Sequence, residues 1–216
     1  MGAPGHTSPL REGTFENLQL NAGIFIKDFV YSGITSAGDL KTEIQLCVNN
    51  SASKLGTILG ATRGGGSFTV TREMRSPEVD GKRYGFKGDT FVDSVEAQIS
   101  TTLIEMTTDN IVDAFGSATL ATSSNGLVKT IKLGTAIDTD DYLTNICWIG
   151  DISDGRYVLI CLKNALNQAD FSLTWTDKGE GELPVEFHAK QSSVNDYDNA
   201  PFEIVYFSPE ATTGSP

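Results

Sequence analysis

"VDSVEAQISTTL", residues 92–103, alternates apolar and polar side chains along most of its length. One face carries Val95, Ala97, Ile99, Thr101 and Leu103, and the other carries Ser94, Glu96, Gln98, Ser100 and Thr102. A period of two residues is typical of a β-strand with one side in the core and the other in water. This stretch therefore predicts a half-buried strand of an antiparallel sheet.

Shorter apolar runs, some of them with the same alternation, predict that much of the remaining chain is also strand. The predicted strands are residues 23–30, 67–71, 127–133, 142–150, 156–163 and 202–207, a hairpin of 171–176 with 183–190, and a short strand at 42–48. We predict one helix, 107–116, in which Thr107 or Thr108 caps the first turn and Gly116 ends the last. These elements predict a mainly β chain, an antiparallel β-sandwich or partly rolled barrel with one flanking α-helix.

The 216 residues are predicted to form one domain with irregular ends. We expect residues 1–20 to form a flexible N-terminal arm, 21–207 the β domain, and 208–216 a disordered tail. Residues 32–56 are predicted to be a long polar connection inside the domain. Connections of this length are uncommon in compact domains unless they have a function, so we interpret this one as a contact loop.

The charge balance limits the classes of partner. Lys and Arg number 16 against 28 Asp and Glu, which gives a net charge of −12. Ordinary binding to nucleic acid depends on basic residues that displace phosphate counterions, so this balance argues against it. It leaves open a protein that meets nucleic acid without adhering to it.

Cys47, Cys147 and Cys161 are widely spaced, with no CxxC pair and no histidine beside them. This spacing favours reduced core residues over a disulfide framework or a zinc site. No apolar run approaches the eighteen or so residues of a membrane helix, and the first residues lack the apolar segment of a signal peptide. We therefore expect no membrane-spanning segment and synthesis in a cytoplasm.

The triplet Gly64–Gly66, in the stretch GATRGGGSF (60–68), raises the question of a phosphate-binding loop. That motif needs Lys after its second glycine, and it must open a helix. Here Gly66 occupies the position of the Lys, and a predicted strand follows. We interpret the glycines as a source of backbone freedom or of close approach to another chain.

The sequence offers no catalytic, cofactor-binding or metal-binding set that we can assign. His6 and His188 are the only histidines, and His188 is predicted to be an ordinary residue on the polar face of its strand. Trp148 and Trp175 lie within apolar alternations, so we expect both in the core. A carbohydrate-binding β-sandwich module is an alternative function of a different class, and it requires at least one tryptophan exposed on a groove.

Several segments, taken in order, resemble the major tail tube proteins of long-tailed bacteriophages. The motifs that carry the resemblance are LGATRGGGSF (59–68), FVDSVEA (91–97), LKNAL (162–166) and DKGEGELPVEFHA (177–189). The resemblance covers most of residues 21–207. It implies a β-sandwich with a flanking helix that assembles into hexameric rings, whose inner sheets close into one continuous barrel.

The resemblance implies a non-enzymatic subunit that polymerises into a tube for genome delivery. Its partners would be copies of itself, other tail proteins, and DNA that passes through the lumen without sequence-specific binding. The chain would be made in the host cytoplasm and would function in the virion tail, with no cofactor. The inner tube of a contractile tail or injection apparatus has the same implied fold and is the nearest alternative.

The resemblance also suggests which residues matter. In a closed barrel, one face of each inner strand packs on the core and the other lines the lumen. If residues 78–107 and 146–190 supply much of the barrel, the polar faces direct Glu96, Gln98 and Glu186 to the lumen, with Glu73 farther along. Gly64, Gly65 and Gly66 would form an inter-subunit loop. Carboxylates along the lumen would repel DNA phosphates.

Overall fold

A computed structural model describes residues 14–19, 21–194 and 199–209. The strands are β1 (Ile24–Lys27), β2 (Thr57–Ile58), β3 (Thr62–Arg75), β4 (Phe91–Leu103), β5 (Ala118–Thr122), β6 (Lys129–Leu133), β7 (Leu143–Asp151), β8 (Tyr157–Asn167), β9 (Leu183–His188) and β10 (Phe202–Phe207). The α-helices are α1 (Ala37–Val48) and α2 (Thr108–Phe115). Short 3₁₀ turns form at Thr14–Asn17 and Thr139–Asp141. Most of the predicted N-terminal arm and residues 210–216 of the predicted tail lie outside the described residues.

The larger sheet follows the order β2-β1-β7-β8-β9-β4-β3, with β10 also paired to β8, and every pair is antiparallel. Strand β8 divides it into two sections, because its first part pairs with β7 and β10 and its end pairs with β9. Asn164, with a φ of 47°, lies between these parts, and its side chain donates to the Lys190 carbonyl at 3.0 Å. β5 and β6 form a separate hairpin.

The main core lies between the two sections, as in a β-sandwich. Phe25, Ile146 and Leu162 of the first section pack in one buried cluster with Ile99 and Phe187 of the second. The described residues form no closed barrel. The prediction of a mainly β, antiparallel chain is confirmed.

Helix α1 covers the outer face of the first section, where Leu40 and Cys47 pack in a buried cluster with Leu159. Its N-terminus is capped by Ser36, whose hydroxyl accepts from the Asp39 amide at 3.1 Å. The prediction of one flanking helix is therefore wrong. Residues 32–56 are not one long loop and 42–48 are not a strand, because Leu40, Ile44 and Cys47 recur with helical spacing and have a sheet to cover.

The predicted helix at 107–116 is confirmed as α2, with Thr107 as its cap and Gly116 in the left-handed region at φ 69°. An ion pair between Lys27 and Asp113 joins α2 to β1. The predicted hairpin of 171–176 with 183–190 is wrong. Residues 171–176 do not form a strand. Their pairing with the second segment is limited to one isolated antiparallel bridge, between Thr174 and Glu182, the residue just before β9.

All three cysteines are buried and free. Within the described part of the chain, no helix combines the length and the apolar character needed to cross a membrane.

Candidate functional site

The residues expected to face a lumen lie together on one face of the section β9-β4-β3. The register aligns Thr69 with Gln98 and His188, and Ser67 with Ser100 and Glu186. Farther along, Thr71 is opposite Glu96, and Glu73 is opposite Ser94. Because paired residues of adjacent strands point to the same side of a sheet, these side chains form one surface, which we call the polar sheet face.

The polar sheet face is built of hydrogen-bonding and acidic groups. Ser67 and Ser100 share a hydrogen bond at 2.9 Å, the Ser94 hydroxyl donates to Glu73 at 3.0 Å, and His188 Nε2 lies 2.9 Å from Glu186 Oε1. Glu73 and Glu96 are exposed, whereas Gln98 and Glu186 are half-buried. None of these four rows carries Lys or Arg, whereas the next row pairs Thr102 with Arg63, whose guanidinium forms ion pairs with Glu180 and Glu182. The face is therefore acidic along the four rows, with His188 among them and Arg63 at its end.

Alongside β9, the opposite face of the same strands is apolar and buried. Ala97, Ile99 and Leu103 of β4 lie in the main core with Val185 and Phe187 of β9. The alternation predicted for residues 92–103 is confirmed from Ala97 onward, whereas residues 91–96 are exposed on both faces.

Strand β3 is the last strand of this section, so one of its edges has no strand partner among the described residues. The Ala189 amide donates to the Ala97 carbonyl at 2.9 Å, which turns the backbone of Ala97 toward β9. Backbone direction alternates along a strand, so Gln98 and its partner Thr69 turn their N–H and C=O groups toward each other. The next residue of β3, Val70, and then Arg72, two residues farther along, therefore direct their N–H and C=O groups outward, to the open edge.

Gly64, Gly65 and Gly66 lie inside β3 and not in a loop before it. Gly64 and Gly65 have φ values of 74° and 76° and form a bulge, and Thr101 Oγ1 donates to the Gly65 carbonyl at 2.7 Å. A Cβ on Gly66 would lie 2.6 Å from the Ser100 carbonyl oxygen and 2.8 Å from the Phe25 ring. Gly66 therefore permits a close contact within its own chain, and contact of the triplet with a neighbour stays a prediction.

Beyond the end of β9, β3 and β4 continue as a two-stranded ribbon, which we call the hairpin arm (residues 70–97). Its connection, residues 76–90, is held by an ion pair of 2.5 Å between Lys82 and Asp89. Large apolar side chains are unusually exposed along it: Met74, Val79, Tyr84, Phe86, Phe91, Val92 and Val95. The hairpin arm is therefore a candidate interaction surface.

The tryptophans differ from each other. Trp148 packs against the main core and donates from Nε1 to the Ala22 carbonyl at 2.8 Å. Trp175 is 74% exposed, so its predicted place in the core is wrong. The alternation of residues 171–176 gave a false signal because no neighbouring strand covers that segment.

His188 Nε2 contacts Glu186. Among the described residues, no group of three or more His, Cys, Asp and Glu side chains is arranged to hold a metal ion. Sequence reasoning missed the exposed apolar residues of the hairpin arm and the open edge of β3. The one related sequence signal was the long alternation at 92–103, which indicates a strand long enough to extend into the arm.

Comparison with protein-family models and with curated proteins finds no match to this chain.

Proposed function

We propose that this chain is a non-enzymatic structural subunit of a bacteriophage tail tube, which polymerises as stacked hexameric rings around a channel for the genome. The observation that carries the proposal is the acidic polar sheet face, which ends at the open edge of β3. The resemblance of the sequence to tail tube proteins supports it independently.

The open edge of β3 would provide the driving force for assembly. An exposed 14-residue edge strand presents unpaired N–H and C=O groups, which invite pairing with another chain. Ring closure would pair each β3 with a strand of the next subunit and would continue the β9-β4-β3 section into a barrel without edges. The core already covers the opposite face of this section alongside β9, so the polar sheet face would line the channel.

The charge of the channel wall suits the passage of DNA. Glu73, Glu96 and Glu186 would repeat around each ring, and their negative charge would repel phosphates. A basic wall would instead gain the free energy of counterion release and hold the DNA. The hairpin arm would reach subunits of the adjacent ring and bury its apolar side chains there. The inner tube of a contractile tail or injection apparatus would use the same features.

The exposure of Trp175 favours a second candidate, a carbohydrate-binding module, because exposed indole rings stack on sugars. A glycan array separates the two candidates. Binding that is lost in Trp175→Ala, by a protein that stays monomeric, would support the module over the tube.

The proposed function is tested at Arg72, whose N–H is directed to the open edge. Proline on an edge strand is tolerated when its missing N–H faces away from the sheet, so Arg72→Pro should fold as a monomer. It should fail to form rings, because the bond to the neighbour is lost. Arg72→Ala removes the same side chain and keeps the N–H, so it should assemble normally.

Sedimentation velocity and circular dichroism of the two variants give the readout. Assembly of Arg72→Pro to the same extent as Arg72→Ala, with unchanged circular dichroism, would overturn pairing through β3.

A further inference from the structure

Cys147 and Cys161 are buried neighbours on adjacent strands of the first section. The register of β7 and β8 places them directly opposite each other, and both are 0% exposed. Their sulfur atoms lie 2.8 Å apart, with the Cys147 thiol donating to Cys161. Cys47, the third cysteine, lies on α1.

The backbone around this pair has the geometry that a cross-strand disulfide needs. The Asn145 carbonyl accepts from Asp28 of the β1 side, and the Lys163 amide donates to Pro201 of the β10 side. By alternation, Cys147 and Cys161 also turn their backbone groups away from each other and form a non-hydrogen-bonded pair. The Cα atoms of such pairs are about 4.5 Å apart, within the range of about 4.4–6.8 Å that disulfides span.

The surroundings of the pair favour one sulfur as the nucleophile. The hydrogen bond from Cys147 lowers the pKa of the Cys161 thiol despite its burial. The same hydrogen bond, together with burial, raises the pKa of Cys147 well above its usual range. Glu203, the nearby carboxylate, is paired with Lys163 and accepts from Tyr31 at 2.9 Å. Of the two thiols, Cys161 is therefore the one that ionises more readily, and thiolates are the reactive form of cysteine.

We propose that Cys147 and Cys161 are a modification site at which hydrogen peroxide forms an intramolecular disulfide between β7 and β8. The Cys161 thiolate attacks one peroxide oxygen, the O–O bond breaks, and the products are a sulfenic acid and hydroxide. Hydroxide takes the proton of Cys147, whose sulfur then attacks Cys161 and expels the second hydroxide. This second hydroxide takes up the proton that Cys161 released on ionising, so in sum two thiols and one peroxide yield one disulfide and two waters.

The disulfide does not depend on tube assembly, because no cysteine lies on the polar sheet face or on the open edge. Its effect would be to fasten two central strands. Closing a loop of about 15 residues stabilises a chain of this size enough to raise its melting temperature by roughly 6–12 °C. Under the proposed function, the crosslink would form after the particle leaves the reducing host cytoplasm.

The test treats the full-length protein with hydrogen peroxide in native buffer, followed by thiol titration and peptide mass mapping. The wild type should fall from three free thiols to one, and Cys47→Ser from two to none, with a peptide that links residues 147 and 161. Cys147→Ser and Cys161→Ser should yield no intramolecular link between β7 and β8. A reductant should restore the thiols and reverse the rise in melting temperature.

Three outcomes would overturn the site: three thiols that persist in native buffer, a disulfide that involves Cys47, or conversion of Cys161 to sulfinic or sulfonic acid without a crosslink. Each is read from the purified chain, so none depends on whether the chain forms tubes.

Discussion

Of the three glycines in the triplet, Gly66 has the least space for a side chain. The effect of adding one can be measured as a change in the free energy of unfolding. Gly66→Ala forces a Cβ against the Ser100 carbonyl and the Phe25 ring, so we expect the free energy of unfolding to fall by about 1–3 kcal/mol. Gly85→Ala is the matched control, because its Cβ would meet only Asp89 Oδ2 at 3.6 Å. Urea unfolding of both variants checks the prediction. Equal stability of the two would contradict the close approach of β3 to Phe25.

Asp89 gives a second prediction, on pH. The hydrogen bond from Lys82, followed by that from the Phe86 amide, lowers its pKa from 3.8 to about 2. Because the folded-state pKa is depressed, the charged form stabilises the turn of the hairpin arm fully above the unfolded pKa. This contribution is lost as the pH falls through about 2.

Lys82→Ala should raise the pKa of Asp89 toward 3.8, and Lys87→Ala, an exposed neighbour, should leave it unchanged. A pH titration of the carboxyl carbon by NMR measures both. A pKa near 2 in Lys82→Ala would show that the ion pair is not the cause.

At the scale of single residues, the sequence was a better guide to which side chains lie on the same face of a strand than to which side chains are buried. Glu96 and Gln98 were assigned to one face from alternation alone, and the register adds Glu73 and Glu186 to the same face. Trp175 was assigned to the core by the same reasoning and is exposed. Alternation indicates which side chains lie on the same face of a strand. Whether that face is buried depends on a second layer of structure packed against it, and a local sequence pattern carries no information about that layer.

Among the elements, the hairpin arm concentrates large apolar side chains that are exposed in the monomer. Val79 and Tyr84 are 65% and 81% exposed, so Val79→Ser/Tyr84→Ser should change the free energy of unfolding by no more than about 0.5 kcal/mol. We expect the same variant to weaken ring stacking, because the arm would bury these groups against the adjacent ring. Light scattering during assembly measures the effect.

The control for the arm is Leu127→Ser, which removes a side chain 83% exposed between β5 and β6. It should assemble as the wild type does. Unaltered assembly of the arm variant, or an equal loss in the control, would remove the arm from the interface.

The strands were more predictable than the helices for a physical reason. The strands β7, β8 and β10 were recognised from short apolar runs, close to their observed bounds. In α1, residues 42–48 alternate as a strand would, yet Leu40, Ile44 and Cys47 also fit one helical face. The cap at Ser36 and the apolar sheet face beneath favour the helix, and the second of these is a tertiary contact that sequence patterns do not reveal.

For the whole molecule, the prediction concerns the sign of charge on the polar sheet face. Glu96→Lys/Glu186→Lys should permit assembly and slow genome ejection from phage particles, because a basic wall attracts phosphate. The defect should be largest at about 10 mM salt, where the Debye length is about 30 Å, and should ease near 0.15 M, where it is about 8 Å.

Asp138→Lys/Asp177→Lys changes the net charge by the same amount at exposed positions away from this face, and it should eject normally. Normal ejection at low salt by assembled Glu96→Lys/Glu186→Lys tails would exclude the polar sheet face from the lumen.

Cryo-electron microscopy of the purified protein at high concentration tests the tube most directly. We expect stacked six-fold rings in which β3 pairs with the neighbouring subunit and Glu96, Gln98 and Glu186 line the central channel. A protein that stays monomeric at every concentration, or rings whose channel is lined by another face, would contradict the proposed function.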